Sequence, residues 1–493
     1  MGDSTPRLGM TADDVAGRIG SGIGVRRDSE SLGAMKTTRS SCRNFSAGIA
    51  LIIFTLLIVT AGELRAGRSA RATAAPQDWF KAGTGLGVEK ARVAVADFVP
   101  GNGGSQPLAQ LFTDTVRADL DYSGILDEVS KSFLPLATPG RPEALNPADW
   151  TAAPANAQFV AYGTLTASGN TLGVDAWLSD ARTAGGPPAI GKRYPGAVTN
   201  DDVRRVAHQF ADEIVMRLSG GVPGIAMTKI AFVSSRSGTK ELWVMDYDGQ
   251  NQTQLTKTRS IAVAPRWSPD DSRIAYTCLA GTFQICMYSM ELGRNVAFAR
   301  YGGTNSSPSW SPDGMRLAFM SSGVTGAPNI YTADAASGGN LKRITTSGGP
   351  DTQPVWNRKT GQQIVFVSGR SGLPQLYIMN ADGTNSEKID LPDMGYVVDP
   401  DWSPNGQLLA FTWRRPDGNF DIYAMEIATH QLVQLTRDAG RNEKPSWAPD
   451  GRHLVFQTTR TGKWQIWTML ADGTGARQLT TEGQNESPNW SPR

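Results

Sequence analysis

Short apolar runs separated by polar turns recur through residues 230–493, and each run has the length of a β-strand. In one unit, an apolar run at 363–366 leads through a glycine-containing loop at 369–372 to a second apolar run at 375–379. An Asp-Gly turn at 382–383 then precedes a short further strand. Together with the strand that comes before this segment, the pattern predicts four strands in each unit.

A motif close to Pro-x-Trp-Ser-Pro-Asp-Gly ends the first strand of each unit. Its tryptophans are Trp267, Trp310, Trp356, Trp402, Trp447 and Trp490, which are separated by 43, 46, 46, 45 and 43 residues. A repeat of about 40–50 residues that is rich in strands and turns is typical of propeller blades. Within the motif, Ser, Pro and Gly occupy the positions that they favour in a type I turn.

The two ends of the array predict how the ring of blades closes. The sixth copy of the motif stops at Arg493, where a second strand would begin. The missing strands appear upstream, in the run at 230–233 and in the segments that follow it as far as residue 256. One blade is therefore built from both ends of the array, which leaves no open sheet edge between the first and last units. We predict an all-β propeller of six blades over residues 225–493.

Residues 75–222 follow a different pattern, which predicts a small domain of α/β or α+β class, large enough for its own core. Apolar runs at 92–98, 159–163 and 172–178 are predicted strands. Two helices are predicted from apolar residues that share one face: Leu108, Phe112, Val116 and Leu120 in the first, and Val203, Val206, Phe210, Ile214 and Leu218 in the second.

An almost wholly apolar run at 47–62 follows the basic residues Lys36, Arg39 and Arg43 and precedes a stretch rich in small residues. This order is typical of a secretory signal peptide, which we assign to residues 35–72. The run is shorter than the roughly 20 residues that span a bilayer, so cleavage is favoured over an uncleaved anchor. Residues 1–34 are interpreted as a polar extension or as the product of a mis-assigned start.

Charge and chemistry exclude several functional classes. The 48 basic and 46 acidic side chains give a net charge of +2, and no dense basic run predicts nucleic-acid binding. His208, His430 and His453 fall in separate predicted elements, without the spacing of metal ligands. No Gly-x-Ser-x-Gly nucleophile elbow occurs. We therefore predict no catalytic residue and no cofactor. We interpret the repeated Asp270, Asp313 and Asp450 as turn residues rather than catalytic carboxylates, and the repeated tryptophans as packing between blades.

Two of the three cysteines lie close together in one predicted blade. Cys278 and Cys286 flank a turn at 280–282 between two strands. They are either a disulfide or two packed thiols, and the sequence leaves both interpretations open.

The order of signal, small domain and six blades resembles the TolB family of periplasmic propeller proteins from the Tol–Pal system of Gram-negative bacteria. The matching segments are 94–98, 118–120, Ser123-Gly124, 159–163, 207–214, 218–220, 228–233 and 490–492. Two turns depart from the repeated motif. The third copy continues as Asn357-Arg358-Lys359-Thr360-Gly361, one residue longer than the others, and the first copy has Asp271 where Gly is usual.

The resemblance implies a periplasmic, non-catalytic scaffold that binds proteins. It implies two partners: a peptidoglycan-associated lipoprotein similar to Pal, and an inner-membrane protein similar to TolA. The membrane would be contacted only indirectly, and the protein itself would be a monomer. The alternative is a propeller enzyme or a carbohydrate-binding module that uses the central channel; a deep pocket with clustered carboxylates and arginines would favour it.

Propeller geometry and the resemblance together predict where the lipoprotein binds. The first strand of each blade lines the channel, so the residues that enter these strands should form a polar, partly acidic rim at one mouth. The predicted rim residues are Ala264, Asn305, Ser307, Asp351, Gln353, Asp399, Glu443, Lys444, Glu486 and Ser487.

The inner-membrane partner is assigned to the segment before the first predicted strand. The predicted binding residues are Gln77, Asp78, Trp79, Phe80 and Lys81, and glycines follow them at 83, 85 and 87. We expect this segment to be packed against the body in one state and released to the partner in the other. The alternative is a frayed terminus without a function of its own.

Overall fold

The computed structural model describes residues 80, 84, 86, 87 and 89–493, apart from 184, 394, 415–417 and 438. Every described residue belongs to one compact unit within Thr73–Arg493. The segments assigned to a polar extension and a signal lie outside the described residues, as do Gln77, Asp78, Trp79 and Lys81.

The N-terminal domain is a mixed sheet with two long helices against it. Its strands are β1 (Ala91–Val95), β2 (Val99–Pro100), β3 (Leu126–Glu128), β4 (Phe159–Ser168), β5 (Thr171–Asp180) and β6 (Ile190–Ala197). Its helices are α1 (Gln106–Tyr122), α2 (Pro147–Thr151) and α3 (Asn200–Leu218). The sheet order is β3-β1-β4-β5-β6, in which β1 is parallel to both neighbours and β4, β5 and β6 are antiparallel.

Both long helices begin at side-chain caps that the sequence provides. The Ser105 hydroxyl accepts a hydrogen bond from the Leu108 amide at the start of α1, and the Thr199 hydroxyl accepts one from the Asp202 amide at the start of α3. Most of the predicted apolar faces are buried against the sheet, because residues four apart lie on one side of a helix. Leu108 and Leu218 are only partly buried at the edge of this core.

The propeller consists of six four-stranded antiparallel sheets. Blade 1 contains β10 (Ala262–Trp267), β11 (Arg273–Ala280), β12 (Thr282–Ser289) and β13 (Arg294–Val296); blade 2 contains β14 (Asn305–Trp310), β15 (Arg316–Ser321), β16 (Asn329–Asp334) and β17 (Lys342–Arg343). Blade 3 contains β18 (Asp351–Trp356), β19 (Gln363–Ser368), β20 (Gln375–Asn380) and β21 (Glu387–Lys388); blade 4 contains β22 (Tyr396–Trp402), β23 (Leu408–Arg414), β24 (Phe420–Glu426) and β25 (Leu432–Gln434). Blade 5 contains β26 (Asn442–Trp447), β27 (His453–Thr458), β28 (Gln465–Leu470) and β29 (Arg477–Gln478); blade 6 contains β30 (Asn485–Trp490), β7 (Lys229–Ser234), β8 (Glu241–Asp246) and β9 (Thr253–Gln254).

The predicted six-bladed fold and its closure are confirmed. The strand order of blade 6 is β30-β7-β8-β9, so its innermost strand comes from the end of the chain. The first strands of neighbouring blades contact one another in a closed cycle around the channel. The six repeated tryptophans are all buried, as expected for side chains that pack between blades.

The repeated aspartates act in the turns, as the sequence predicts. In blade 2, the Ser311 hydroxyl donates to Asp313 Oδ1 at 2.5 Å, and the Gly314 amide donates to the Ser311 carbonyl at 2.9 Å. The hydrogen bond from Ser311 and one from the Met315 amide lower the pKa of Asp313. Blade 1 repeats the Ser-Asp contact, with Ser268 donating to Asp270 at 2.6 Å.

Cys278 and Cys286 are joined by a disulfide, and their Cα atoms lie 5.9 Å apart. They lie on the adjacent strands β11 and β12, in diagonal rather than directly opposed positions, because Cys278 is opposite Gln284 and Cys286 is opposite Tyr276.

Asp271 is a strained exception among the turns, and replacing it by Gly is expected to stabilise the protein. Its φ is +61°, which is the left-handed region, and one carboxylate oxygen is buried without a hydrogen-bond partner among the described residues. Burial raises the pKa of Asp271 to about 7. Because this carboxyl is only half-buried, solvent screening limits the effect, and we expect Asp271→Gly to raise the free energy of unfolding by about 1–2 kcal/mol at pH 7.

The stabilisation should depend on pH in a defined direction. The folded-state pKa of Asp271 is raised above its unfolded value, so the wild type gains stability relative to the variant as pH falls from about 7 towards 4. Urea unfolding at pH 7 and pH 5 measures this difference. Gly314→Asp, which creates the same turn in blade 2 at φ +71°, is the matched control and should destabilise. An equal effect of Asp271→Gly at both pH values would contradict the electrostatic part of the argument.

Candidate functional site: the channel mouths and the domain junction

The channel has two different mouths. The innermost strands begin at what we call the upper mouth and end, at the repeated tryptophans, at the lower mouth. Each innermost strand also has a bulge three residues before its tryptophan. The residues at the six bulges, which we call the bulge ring, are Ala264, Ser307, Gln353, Asp399, Lys444 and Ser487, with φ between +48° and +56°.

Side chains of the bulge ring join neighbouring blades. Gln353 donates from Nε2 to Asp399 Oδ1 at 2.9 Å and accepts at Oε1 from the Asp399 amide at 2.8 Å. Lys444 donates from Nζ to Ser487 Oγ at 3.1 Å. Non-glycine residues with positive φ are uncommon. Their occurrence at the same position in every blade therefore indicates a repeated structural constraint, in which the bulge changes the direction of the strand beside the channel.

Four of the predicted rim residues are not available as surface groups. Asn305 and Asp351 are wholly buried, because each begins its strand under the loop that precedes it. Asp351 accepts hydrogen bonds from Arg370 and from Ser347, the latter at 2.7 Å. Asn305 and Asp351 therefore begin strands at this mouth, as predicted, but do not present accessible side chains there. The pattern could not reveal this, since their partners lie in loops outside the innermost strands.

Glu443 and Ser487 are buried as well, with 7% and 6% of their surfaces exposed. Glu443 Oε1 accepts from Arg441, and Oε2 accepts from Gln457 at 3.3 Å. Burial raises the pKa of Glu443, and the nearby Asp399 raises it further. A charge reversal at Glu443 would therefore test folding rather than binding. Ala264, Ser307, Gln353, Asp399, Lys444 and Glu486 remain partly exposed.

Phe80 is the described member of the predicted N-terminal binding segment, and it is 1% exposed. It packs in a cluster formed by blades 4 and 5, which includes Leu408, Val433, Trp447 and Leu454. The Thr84 hydroxyl donates to the Phe80 carbonyl at 2.9 Å. Phe80 is therefore docked on the propeller.

The N-terminal domain joins the propeller through buried polar contacts that the sequence analysis did not find. Nε2 of His453, on β27, lies 2.7 Å from the Tyr122 carbonyl oxygen at the end of α1, and Nδ1 lies 2.6 Å from an Asp450 carboxylate oxygen. Tyr122 bonds to the Thr468 hydroxyl at 2.5 Å. His453 begins its strand where blades 1 and 2 have arginine, which is the one sequence signal that could have identified it.

A second contact couples both long helices to blade 6. His208 of α3 lies 2.7 Å from Asp119 of α1, and Asp119 also accepts a hydrogen bond from the Tyr247 hydroxyl. Arg204 pairs with Asp248 in the same turn of blade 6. These turns all lie on the lower side of the propeller, so helices α1 and α3 contact the face opposite the upper mouth.

Neither a metal centre nor a membrane span emerges from the described residues. Within these ranges, no group of three or more His, Cys, Asp or Glu side chains could hold a metal ion. No helix of the described chain is both long and apolar enough to cross a bilayer.

Both domains match family models. Residues 84–184 match the TolB amino-terminal domain, and residues 217–397 and 392–493 match the TolB beta propeller domain. The "Tol-Pal system protein TolB" of Bordetella pertussis is 33% identical over 411 residues, which cover 83% of this chain and 90% of the relative. The chain belongs to the TolB family.

Further relatives agree with this assignment. The protein of the same name from Bordetella avium is 32% identical over 414 residues, covering 83% of this chain and 89% of the relative. The crystal structure of TolB from Acinetobacter baumannii superposes with a TM-score of 0.70, covering 82% of this chain and 98% of that one. At 24% identity, this likeness bears on the fold alone.

Proposed function

We propose that this TolB-family protein is a periplasmic scaffold that links a Pal-like lipoprotein of the outer membrane to a TolA-like protein of the inner membrane. It acts by binding proteins and not by catalysis, and it supports outer-membrane integrity and constriction during cell division. The observation that carries this proposal is the match, through both domains, to relatives named as Tol–Pal system proteins.

The lipoprotein is assigned to the upper mouth. Helices α1 and α3 contact the lower turns, which leaves the upper mouth on the opposite face of the propeller. Its partly exposed residues include Asp399, Lys444 and Glu486, so the surface has charges of both signs. Glu486 accepts a hydrogen bond from Lys240 at 2.8 Å. Mixed charge that is already ordered suits specific docking of a protein surface, because complementary charges set orientation and association rate.

The TolA-like partner is assigned to residues 77–81. Phe80 is docked between blades 4 and 5, which corresponds to the packed state of the proposed switch. Release would expose the side chain of Phe80, and a partner that binds it must also order the glycine-containing segment that carries it. The two binding events are then linked, because a ligand that favours either state shifts its population.

One experiment with two baits tests both assignments. Glu486→Lys and Lys444→Glu, each made singly, should weaken binding of the Pal-like lipoprotein by about tenfold and leave binding of the TolA-like protein unchanged. Deletion of residues 1–81 should weaken binding of the TolA-like protein and leave binding of the Pal-like lipoprotein unchanged. Affinities of the purified proteins are measured by surface plasmon resonance, and circular dichroism verifies the fold of each variant.

Glu387→Lys is the matched control, because it reverses an exposed charge on β21, the outermost strand of blade 3. It should affect neither affinity. Unchanged lipoprotein binding in both mouth variants would remove the upper mouth as the docking site. Full-strength binding of the TolA-like protein by the truncated chain would reduce residues 77–81 to a linker.

A further inference from the structure

The residue before each repeated tryptophan lies at the lower end of an innermost strand and usually has one structural role. In four blades it accepts a hydrogen bond from the tryptophan amide of the next blade. The acceptor and donor pairs are Ser309 with Trp356, Asp401 with Trp447, Ser446 with Trp490, and Asn489 with Trp267, at 2.8–3.2 Å. These contacts link neighbouring blades around the ring.

Arg266 occupies this position in blade 1 and cannot serve that role, because a guanidinium has no acceptor. Its side chain makes no hydrogen bond or ion pair within the described residues. Its backbone carbonyl accepts a bond from the Trp310 indole at 3.0 Å, which fixes the strand but leaves the guanidinium uncommitted. Burial lowers the pKa of Arg266, an effect that Asp401 opposes and Arg358 reinforces.

Arg358 is a second departure from the repeat. It lies two residues after its tryptophan, where the other five copies have a proline: Pro269, Pro312, Pro404, Pro449 and Pro492. From blade 3 its guanidinium reaches both carboxylate oxygens of Asp401 in blade 4, at 3.0 Å, and the Trp447 carbonyl in blade 5, at 3.3 Å. This side chain therefore spans part of the lower mouth.

Both arginines line one cavity of about 130 Å³ at the lower mouth. Its walls are tryptophans and prolines of the repeated motif, and Asp401 is a further lining residue. Two of the wall tryptophans, Trp267 and Trp356, have buried indole N–H groups without a hydrogen-bond partner among the described residues. The cavity therefore combines apolar walls with two guanidinium groups and a single lining carboxylate, which Arg358 already pairs.

We propose that this cavity binds a carboxylate, held by Arg266 and Arg358 against the tryptophan and proline walls. A planar guanidinium presents paired N–H donors that match the two oxygens of a carboxylate. The volume is close to that of cavities of about 150 Å³ that accept a benzene ring, so the ligand is a carboxyl group on a short apolar stem. It is either a small free acid or an acidic side chain of a bound peptide. This site lies at the mouth opposite the proposed lipoprotein surface and does not depend on that assignment.

Titration followed through the indole N–H signals in ¹H–¹⁵N NMR spectra tests the proposal. The probes are propionate, a blocked tripeptide with a central glutamate, and phosphate, each at constant ionic strength in the full chain. Trp267→Phe and Trp356→Phe assign the two reporter signals. We expect saturable shifts of these signals with propionate, and at least about tenfold weaker binding in Arg266→Gln, since a charge-assisted hydrogen bond is lost.

Two comparisons keep the result decisive. Arg294→Gln, at an exposed arginine on β13 of the same blade, should bind like the wild type. Arg266→Ser, which installs the residue that blades 2 and 5 have, should fold and lose binding as Arg266→Gln does. Saturation by the tripeptide as well as propionate identifies a partner's acidic side chain, and saturation by propionate alone identifies a free acid. Non-saturable shifts, saturation only by phosphate, or equal affinity in Arg266→Gln would overturn the proposal.

Discussion

A chain that lacks residues 485–493 is expected to lose the cooperative unfolding transition of the propeller. These residues include β30, the innermost strand of blade 6, which pairs with β7 and contacts β26 and β10 on either side. Trp490 is 1% exposed, and its indole donates to the Thr228 hydroxyl at 2.7 Å. Burying a tryptophan of this kind contributes about 3–5 kcal/mol by itself, against a total stability of about 5–15 kcal/mol for a typical domain.

The loss extends beyond one strand because β30 also serves the neighbouring blades. Asn489 accepts the Trp267 amide of blade 1 at 2.8 Å, and Ser446 of blade 5 accepts the Trp490 amide at 3.2 Å. Without β30, the first strand of blade 1 and the last complete blade lose their shared partner, and β7 becomes an open sheet edge.

Thermal unfolding followed by near-ultraviolet circular dichroism measures this effect. A synthetic peptide of residues 482–493 added to the truncated chain should restore the transition in proportion to its concentration, because it supplies the missing strand. The same peptide with Trp490→Ala is the control and should restore much less. A truncated chain that melts like the full chain would show that closure by β30 does not stabilise the ring.

Replacing His453 by alanine is expected to lower the free energy of unfolding by about 3–5 kcal/mol, because the change leaves a buried carboxylate and a buried carbonyl without this partner. His453 is wholly buried, and its two ring nitrogens bond to Asp450 and to the Tyr122 carbonyl. Asp450 retains its contact with Arg452, whose Nε lies 3.4 Å away. The junction between α1 and blade 5 should therefore loosen before either domain unfolds.

Hydrogen exchange at the end of α1 and urea unfolding together measure that order of events. His430→Asn is the matched control, since His430 is exposed in a hairpin at φ +57°, a conformation that asparagine tolerates. The control should change stability by no more than about 0.5 kcal/mol. If His453→Ala unfolds in one unchanged transition at the wild-type urea concentration, the histidine is not a stabilising link between the domains.

The local sequence contains enough information for the blades, because their determinants lie within a few residues of one another. Alternating apolar runs, the repeated turn motif and an Asp-Gly hairpin specify four strands in each unit. Six copies, with one blade built from both ends of the array, predict the closed ring that is observed. The same holds for α1 and α3, where capping residues and apolar faces lie within single helices. Asp313 was interpreted correctly as a turn residue because its partner, Ser311, is two positions away.

The rim could be predicted only in part. The position of the bulge ring follows from the repeat, so all six of its residues are in the predicted set. Four of them, Gln353, Asp399, Lys444 and Ser487, also bond through their side chains to another residue of the ring. The burial of Asn305, Asp351 and Glu443 does not follow, because it depends on loops and neighbouring strands that cover them.

By itself, the sequence determined the number of blades, their strand content, the strand exchange that closes the ring and the separate N-terminal domain, since these depend on short-range periodicity and turn chemistry. Only the tertiary structure decided which rim side chains remain accessible, how His453 joins Tyr122, and that Arg266 and Arg358 meet at one cavity. Each of these depends on contacts between residues far apart in the chain, such as the Tyr122–His453 pair, which lies 331 positions apart. No local pattern records such distances, because they are set by how the blades close on one another and on the N-terminal domain.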